Sequence, residues 1–278
     1  MTAGPDLEQA PAGHASAGHR PQALLLSFLG GLVEGRDLPP VPAAVLLRLL
    51  GSLGVAEAAA RATLSRMSRK GLLARTPTGR TVAYTLTPAA ETLLAKAGAR
   101  VNAGTPFDHP GGEWTLLSYS MPESRRDLRH QLRAALTWAG FGGVRDGLWI
   151  APGTVDVAAV FADAGLTEVA GLAEWFLAAP LPGVDMAALV HRAWPVDRIR
   201  EQHEAFIRRW AAGPGEADAL SQMTLLGADW LQVLRADPGL PAAHLPADWP
   251  ATRSTAAYQR CAAALLPAAR RQLDAELG

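Results

Sequence analysis

Arg61, Arg66 and Arg69 fall within nine residues, accompanied by Ala58, Ala62 and Ser65. At about 100° per residue these six share one side of a helix, while Ala60, Leu64 and Met67 recur at spacings of four and three on the other. Small side chains let a helix approach a groove closely, and a guanidinium can fork onto guanine or onto a phosphate. The chemistry implied is recognition of double-stranded DNA through the major groove. Downstream, Arg75 and Arg80 flank Thr78-Gly79, where a second contact to phosphate or minor groove would come from. The candidate DNA-contacting set is therefore Arg61, Ala62, Ser65, Arg66, Arg69, Arg75 and Arg80. Any surface helix is polar outside, but from Gly54 to Arg80 six Lys or Arg stand against Glu57 alone.

Other reactive residue types offer less. Cys261 precedes the apolar run Ala262 to Leu266, so it reads as a buried structural thiol. His191, Asp197 and His203 lie in a helical region, but no two His have the i, i+4 spacing of a zinc helix. They read as surface or core-edge residues. His14 and His19 could pair on a metal, although a flexible tail is the preferred reading. There is no Gly-rich phosphate loop and no G-x-S-x-G elbow. The expectation is a chain with no catalytic residue, no metal and no cofactor.

The elements that must position the arginines follow from pattern. Glu57 to Lys70 predicts a helix, and Leu72 to Pro77 and Thr81 to Leu86 predict two short strands. Between the strands Gly79 permits a tight turn, because glycine accepts positive φ without steric penalty. Helix then hairpin is the core of a winged helix-turn-helix. Pro21 to Glu34 and Ala43 to Leu53 predict the two helices before it. Thr87-Pro88 opens a further helix to about Val101, with Thr87 as its N-cap.

Asn102 to Gly112 is dominated by turn formers and separates the modules. Beyond it Trp114 to Met121 predicts a strand. Glu123 to Ala139 predicts a helix with Leu128, Leu132, Leu136 and Trp138 inward and Arg125, Arg126, Arg129 and Arg133 outward. Strands around Val144 and at Leu148 to Ala151 follow. A helix from Thr154 to Ala164, capped by Thr154, and a strand from Glu168 to Leu177 complete the order βαββαβ, a ferredoxin-like plan. From Asp185 onward helices are expected at 186–191, 195–212, 216–235 and 252–276, interrupted by the Pro-rich run from Asp237 to Pro250. The fold class is α+β: a disordered arm at 1–19, a winged-helix DNA-binding domain at 20–101, a linker at 102–112, a ferredoxin-like domain at 113–183 and a helical C-terminal domain at 184–278.

Composition fits this division. The 278 residues suggest about two domains, and 49% hydrophobic with 19% charged residues describes a globular chain. The whole chain is neutral, yet Arg20 to Arg100 holds eleven basic residues against four acids. A basic module on an acidic body implies nucleic-acid contact through one end. One Cys fits a reducing cytoplasm. The apolar run Ala23 to Val33 is too short to span a membrane, and Met1 to His19 has neither the basic nor the apolar region of a signal peptide.

The run from Leu24 to Arg75, notably Arg61, Leu64, Ser65, Arg66 and Gly71, resembles the N-terminal domain of the PaaX family of phenylacetate-degradation repressors. Met121-Pro122-Glu123, Arg125-Arg126, Gly140-Phe141-Gly142 and Leu148 to Pro152 resemble its middle domain. DPGLPAAHLPADWP resembles its C-terminal signature. The resemblance implies a cytoplasmic homodimeric repressor that binds an inverted-repeat operator and is released by an acyl-CoA, typically phenylacetyl-CoA. Arg125, Arg126, Arg129 and Arg133 are then candidates for the phosphates of that effector, against the reading of a solvated helix face. All Trp lie outside 20–101, and some could line an aromatic acyl pocket. Ala58 and Ala62 depart from the longer or polar residues more usual in the family.

Two alternatives remain at this point. One is a winged-helix protein that binds DNA without an effector. The other is a metal-dependent nuclease, since the middle module also resembles the Cas2 endonucleases. Those hold a metal with an Asp at the end of the first strand. Here that strand carries Ser118 and Ser120 but no carboxylate, and a hydroxyl alone anchors Mg²⁺ poorly.

Overall fold

The computed structural model describes residues 18–78, 81–109, 112–215 and 218–278. The expected arm at 1–19, apart from Gly18 and His19, lies outside the described residues, as do Gly79 and Arg80 at the hairpin tip. The chain divides into two compact units. One comprises Met1–Gly98, Pro214–Ala228 and Ala262–Gly278, the other Ala99–Gly213 and Asp229–Cys261.

In the first unit, α1 (Pro21–Phe28) continues as a π-helical turn, Leu29–Val33. Then come β1 (Val41–Pro42), α2 (Ala43–Ser52), α3 (Glu57–Arg69), β2 (Leu73–Thr78), β3 (Thr81–Leu86) and α4 (Pro88–Val101), which ends in the second unit. This is the element order of a winged helix-turn-helix. Its core is Leu24, Leu25, Phe28, Leu46, Leu50, Leu64 and Met67, all buried. The sheet order is β1-β3-β2, all antiparallel. β1 was not expected from sequence, and it pairs Val41 with Tyr84 and Pro42 with Ala83. Residues of α9 (Ala219–Ala236) and α10 (Ala251–Leu277) complete this unit: the Ser27 hydroxyl donates to the Thr224 carbonyl at 2.7 Å, and Arg36 meets Asp274 at 2.6 Å.

In the second unit β4 (Trp114–Tyr119), α5 (Arg126–Trp138), β5 (Gly142–Arg145), β6 (Leu148–Pro152), α6 (Val157–Asp163) and β7 (Ala173–Ala178) follow the ferredoxin-like order. The sheet is antiparallel, with order β5-β6-β4-β7. Strand residues alternate between two cores, as a period of two requires. Leu117, Tyr119, Trp149 and Ala151 face Leu132 and Leu136 of α5 and Phe161 of α6. Trp114 and Ile150 face Val190 of α7 (Met186–Ala193) and Ile199 of α8 (Val196–Trp210). Leu132 and Leu136 are each 0% exposed, and full burial of such a side chain stabilises by about 1.5–3 kcal/mol. The second half of α9 (Ala219–Ala236) and the first part of α10 (Ala251–Leu277) add Trp230 and Tyr258, stacked at 4.7 Å. Burial pushes the Tyr258 hydroxyl up to about 12.

Three expectations are corrected here. The helix expected from Thr154 begins at Val157, and its cap is Asp156, whose carboxylate accepts from Ala159 N at 2.9 Å. The last strand begins at Ala173, because Thr167–Leu172 forms a 3-10 helix. Trp138 is 73% exposed, not inward. It is the last residue of α5, two positions past Leu136, which turns it off the buried face.

Gly140 ends α5. Its φ is +89°, and Phe141 N donates back to the Leu136 carbonyl at 2.9 Å. This bonding pattern satisfies a carbonyl left over at the helix end. A Cβ at Gly140 would also lie 2.9 Å from Pro238 Cβ. Gly140→Ala should therefore cost about 1–3 kcal/mol from strain and overpacking. Urea unfolding checks this: the midpoint falls at constant slope, whereas an unchanged midpoint contradicts it.

Candidate nucleic-acid interface

α3 is built to show one face and bury the other. Ala60, Thr63, Leu64 and Met67 are buried, and Ala58, Arg61, Ala62, Ser65, Arg66 and Arg69 are exposed. The helix stops cleanly at Gly71, whose φ of +68° allows Leu72 N to donate to the Met67 carbonyl at 3.0 Å. The chain then turns directly into β2. Thr87 fastens the far end of the hairpin: its hydroxyl donates to the Gly71 carbonyl at 2.6 Å and accepts from Ala90 N at 3.2 Å. One side chain thus caps α4 and ties the end of β3 to the end of α3.

The arginines differ in how they are held. Arg61 pairs with Glu57 one turn earlier at 2.7 Å, with both side chains more than 60% exposed. Such exposed pairs contribute about 0–1 kcal/mol, so Arg61 can exchange its partner for another anion at little cost. Arg66 donates to Thr63 Oγ1 at 3.0 Å, and Thr63 in turn donates to the Ala59 carbonyl. Arg66 is thereby oriented along the helix. Arg69 is exposed near the end of α3 and Arg75 on β2 is exposed beside it in sequence. Arg80 lies outside the described residues. Four of the five candidate arginines are therefore exposed on α3 or β2 of one unit, together with the small residues Ala62 and Ser65.

The four arginines of the α5 region are not brought together. Arg125 and Arg126 border a shallow depression that also holds Asp127 and Glu168. Arg129 is half-buried and donates to the Met121 carbonyl at 2.6 Å. Arg133 lies over the Trp149 ring, 5.9 Å from its centre.

His203 is a correction: it is 0% exposed, not a surface or core-edge residue. Its Nε2 donates to Asp237 Oδ2 at 3.0 Å and its Nδ1 lies 2.7 Å from Ser254 Oγ. Asp237 is itself 0% exposed and also accepts from Gly239 N at 2.8 Å and Leu240 N at 3.2 Å. The Arg100 guanidinium donates to the Asp237 backbone carbonyl at 2.7 Å. Burial lowers the Arg100 pKa, with the Asp237 charge acting the other way. The signal for this network was present in α8: Val196, Ile199, His203, Phe206 and Trp210 recur at spacings of three and four, so His203 sits on the buried stripe. Cys261 is buried as expected, and burial raises its thiol pKa. Among the described residues, no group of three or more His, Cys, Asp or Glu could hold a metal ion. No helix there is long and apolar enough to cross a membrane.

Comparison with known proteins places this architecture. Residues 20–90 match the family model described as PaaX-like protein, 108–178 the PaaX protein central Cas2-like domain, and 194–275 the PaaX-like protein C-terminal domain. The transcriptional repressor PaaX of Escherichia coli (strain K12) is 26% identical over 217 residues, covering 73% of this chain and 67% of the repressor. Among solved structures, the uncharacterized protein Rv0674 from Mycobacterium tuberculosis superposes with a TM-score of 0.60 at 26% identity, covering 91% of this chain and 98% of that one. Three family domains in the same order, spanning most of the sequence, show that this chain belongs to the PaaX family.

Proposed function

We propose that this chain is a DNA-binding transcriptional repressor that binds an inverted-repeat operator as a homodimer and is released by an aromatic acyl-CoA. The observation that carries the DNA part is the exposed face of α3, where Arg61, Arg66 and Arg69 surround Ala62 and Ser65. Such a face fits a major groove: the small residues let the backbone close in, and the arginines reach guanine or phosphate. Arg75, and Arg80 at the tip, would hold the hairpin to the flanking backbone. The E. coli relative is named a transcriptional repressor, which supports the direction of regulation.

The dimer reading draws support from β7. This strand lies at one edge of its sheet, and Trp175, Phe176 and Leu177 are 39%, 57% and 55% exposed. An uncovered apolar edge strand favours pairing with another chain, here a second copy. Two α3 helices in a dimer reach successive major grooves when they stand about 34 Å apart. An effector acts by binding better to a dimer whose spacing misses that distance.

Gel shifts on DNA selected from the host genome test the reading. The expected result is a retarded duplex that saturating phenylacetyl-CoA releases, with operator affinity falling about 5- to 150-fold, the usual range of effector coupling. Retardation that no acyl-CoA reverses leaves an effector-independent DNA binder. No retardation at all removes the DNA part.

A further inference from the structure

Two depressions within the second unit share the Thr137 and Arg235 side chains. The larger, about 630 Å³, is walled by His130, Arg133, Trp138, Trp149 and Arg235. The smaller, about 220 Å³, runs past Gly140 to Trp194, Arg198 and Gln202. Neither wall contains an Asp or a Glu. Elsewhere in this unit Arg200 is clamped by Asp248 at 2.7 Å and Arg209 by Asp229 at 3.1 Å.

The trench instead holds its cations against rings. Arg235 lies 5.0 Å from the centre of Trp138, and Arg133 lies 5.9 Å from that of Trp149. A guanidinium over an indole is held by the ring's negative face, and its N–H edges remain free to donate to an anion. Surrounding protein lowers the Arg235 pKa by desolvation. A neighbouring anion would offset that penalty. Trp138 leaves most of its ring in solvent, and flat exposed indoles are the usual platform for a planar ligand.

The inner recess adds a third cation, Arg198, beside the Trp194 ring and Gln202.

We propose that this trench is a nucleotide-binding site. The base stacks on Trp138, and the phosphates lie among Arg133, Arg198 and Arg235. The proposal deepens the effector part of the function above, by giving that ligand a place and a recognised chemistry. Arg133 is then the one arginine of the α5 region that serves it.

The test is titration of the full chain with ADP and with coenzyme A, followed by tryptophan fluorescence and calorimetry. Adenosine and pyrophosphate serve as the two halves of the ligand. ADP and coenzyme A should bind, with each half at least tenfold weaker. Trp138→Ala and Arg235→Gln should each weaken ADP at least tenfold, and Arg192→Gln on α7 should leave it unchanged. Thermal melts establish that the variants fold. Absence of ADP and coenzyme A binding, or equal affinity in wild type and both trench variants, overturns the assignment. So does preferential occupation by a single-stranded oligonucleotide that displaces ADP. Gel shifts on the same variants separate the two claims. If an acyl-CoA releases duplex from wild type and Trp138→Ala alike, the effector reading stands and the trench assignment falls. If ADP binds through Trp138 but no thioester releases duplex, the trench stands and the effector reading falls.

Discussion

A chain carrying Arg61→Ala together with Arg69→Ala is expected to lose about 2–6 kcal/mol of operator affinity, at least thirty-fold, at about 1–3 kcal/mol for each bidentate arginine. Both side chains are exposed on α3, so the loss should come with little change in stability, within about 0.5 kcal/mol for a surface substitution. The salt dependence tells base contact from phosphate contact. Each phosphate neutralised adds about 0.9 to the slope of log affinity against log salt. If Arg69 meets a phosphate, Arg69→Ala weakens all duplexes equally and flattens the slope by about one such step. If Arg61 meets a guanine, Arg61→Ala relaxes the preference at one base pair and leaves the slope nearly intact. Fluorescence anisotropy with operator and scrambled duplexes at several salt concentrations reads both. Wild-type affinity and slope in the double variant would remove α3 from the interface.

Asp237→Ala should destabilise the chain more than Gly140→Ala does. The carboxylate is buried and serves His203, Gly239 and Leu240 at 3.0, 2.8 and 3.2 Å, with Trp249 Nε1 at 3.4 Å. Removing one partner of a buried charge network costs about 3–5 kcal/mol. For a chain of this size that corresponds to a fall in Tm of about 6–20 °C, at about 2–4 °C per kcal/mol. Asp237→Asn keeps the acceptor for the Gly239 and Leu240 amides and should lose less. Thermal unfolding followed by circular dichroism measures both, and a midpoint for Asp237→Ala within about 2 °C of wild type, small beside the about 6 °C minimum, contradicts the role assigned to the network. Asp237 opens the Pro-rich run DPGLPAAHLPADWP, which gives that run a physical reason: it wraps a buried hydrogen-bonded hub.

Much of the fold was readable because local signals agreed with the packing. α3 and its hairpin carry a helical apolar stripe and a cap at Thr87, and both occur where expected. The placement of the α3 arginines in solvent followed from the same stripe. What escaped was set by distant partners. β1 is two residues long among prolines and exists only because β3 lies alongside it. Trp138 is apolar but stands two positions past Leu136, off the buried stripe, and lies against Arg235, nearly a hundred residues later. Arg133 and Arg235 meet in one trench only after folding, so no local window could pair them. His203 was misread for a different reason. Its stripe was visible, but a polar residue on an apolar face needs a partner, and Asp237 and Ser254 lie in other segments.

The geometry around His203 brings together the members of a hydrolase site without its access. Acid, imidazole and serine hydroxyl follow one another at 3.0 and 2.7 Å, but with the ring nitrogens exchanged relative to a serine nucleophile: the acid sits on Nε2 and the hydroxyl on Nδ1. The residue types and their spacing are those of an esterase or peptidase. Yet Asp237, His203 and Ser254 are all 0% exposed, and the Ser254 hydroxyl also lies 2.8 Å from the Ala251 carbonyl of its own helix. No scissile bond can reach that oxygen, so here the row is a rivet, set apart from a nucleophile both by its burial and by its exchanged nitrogens.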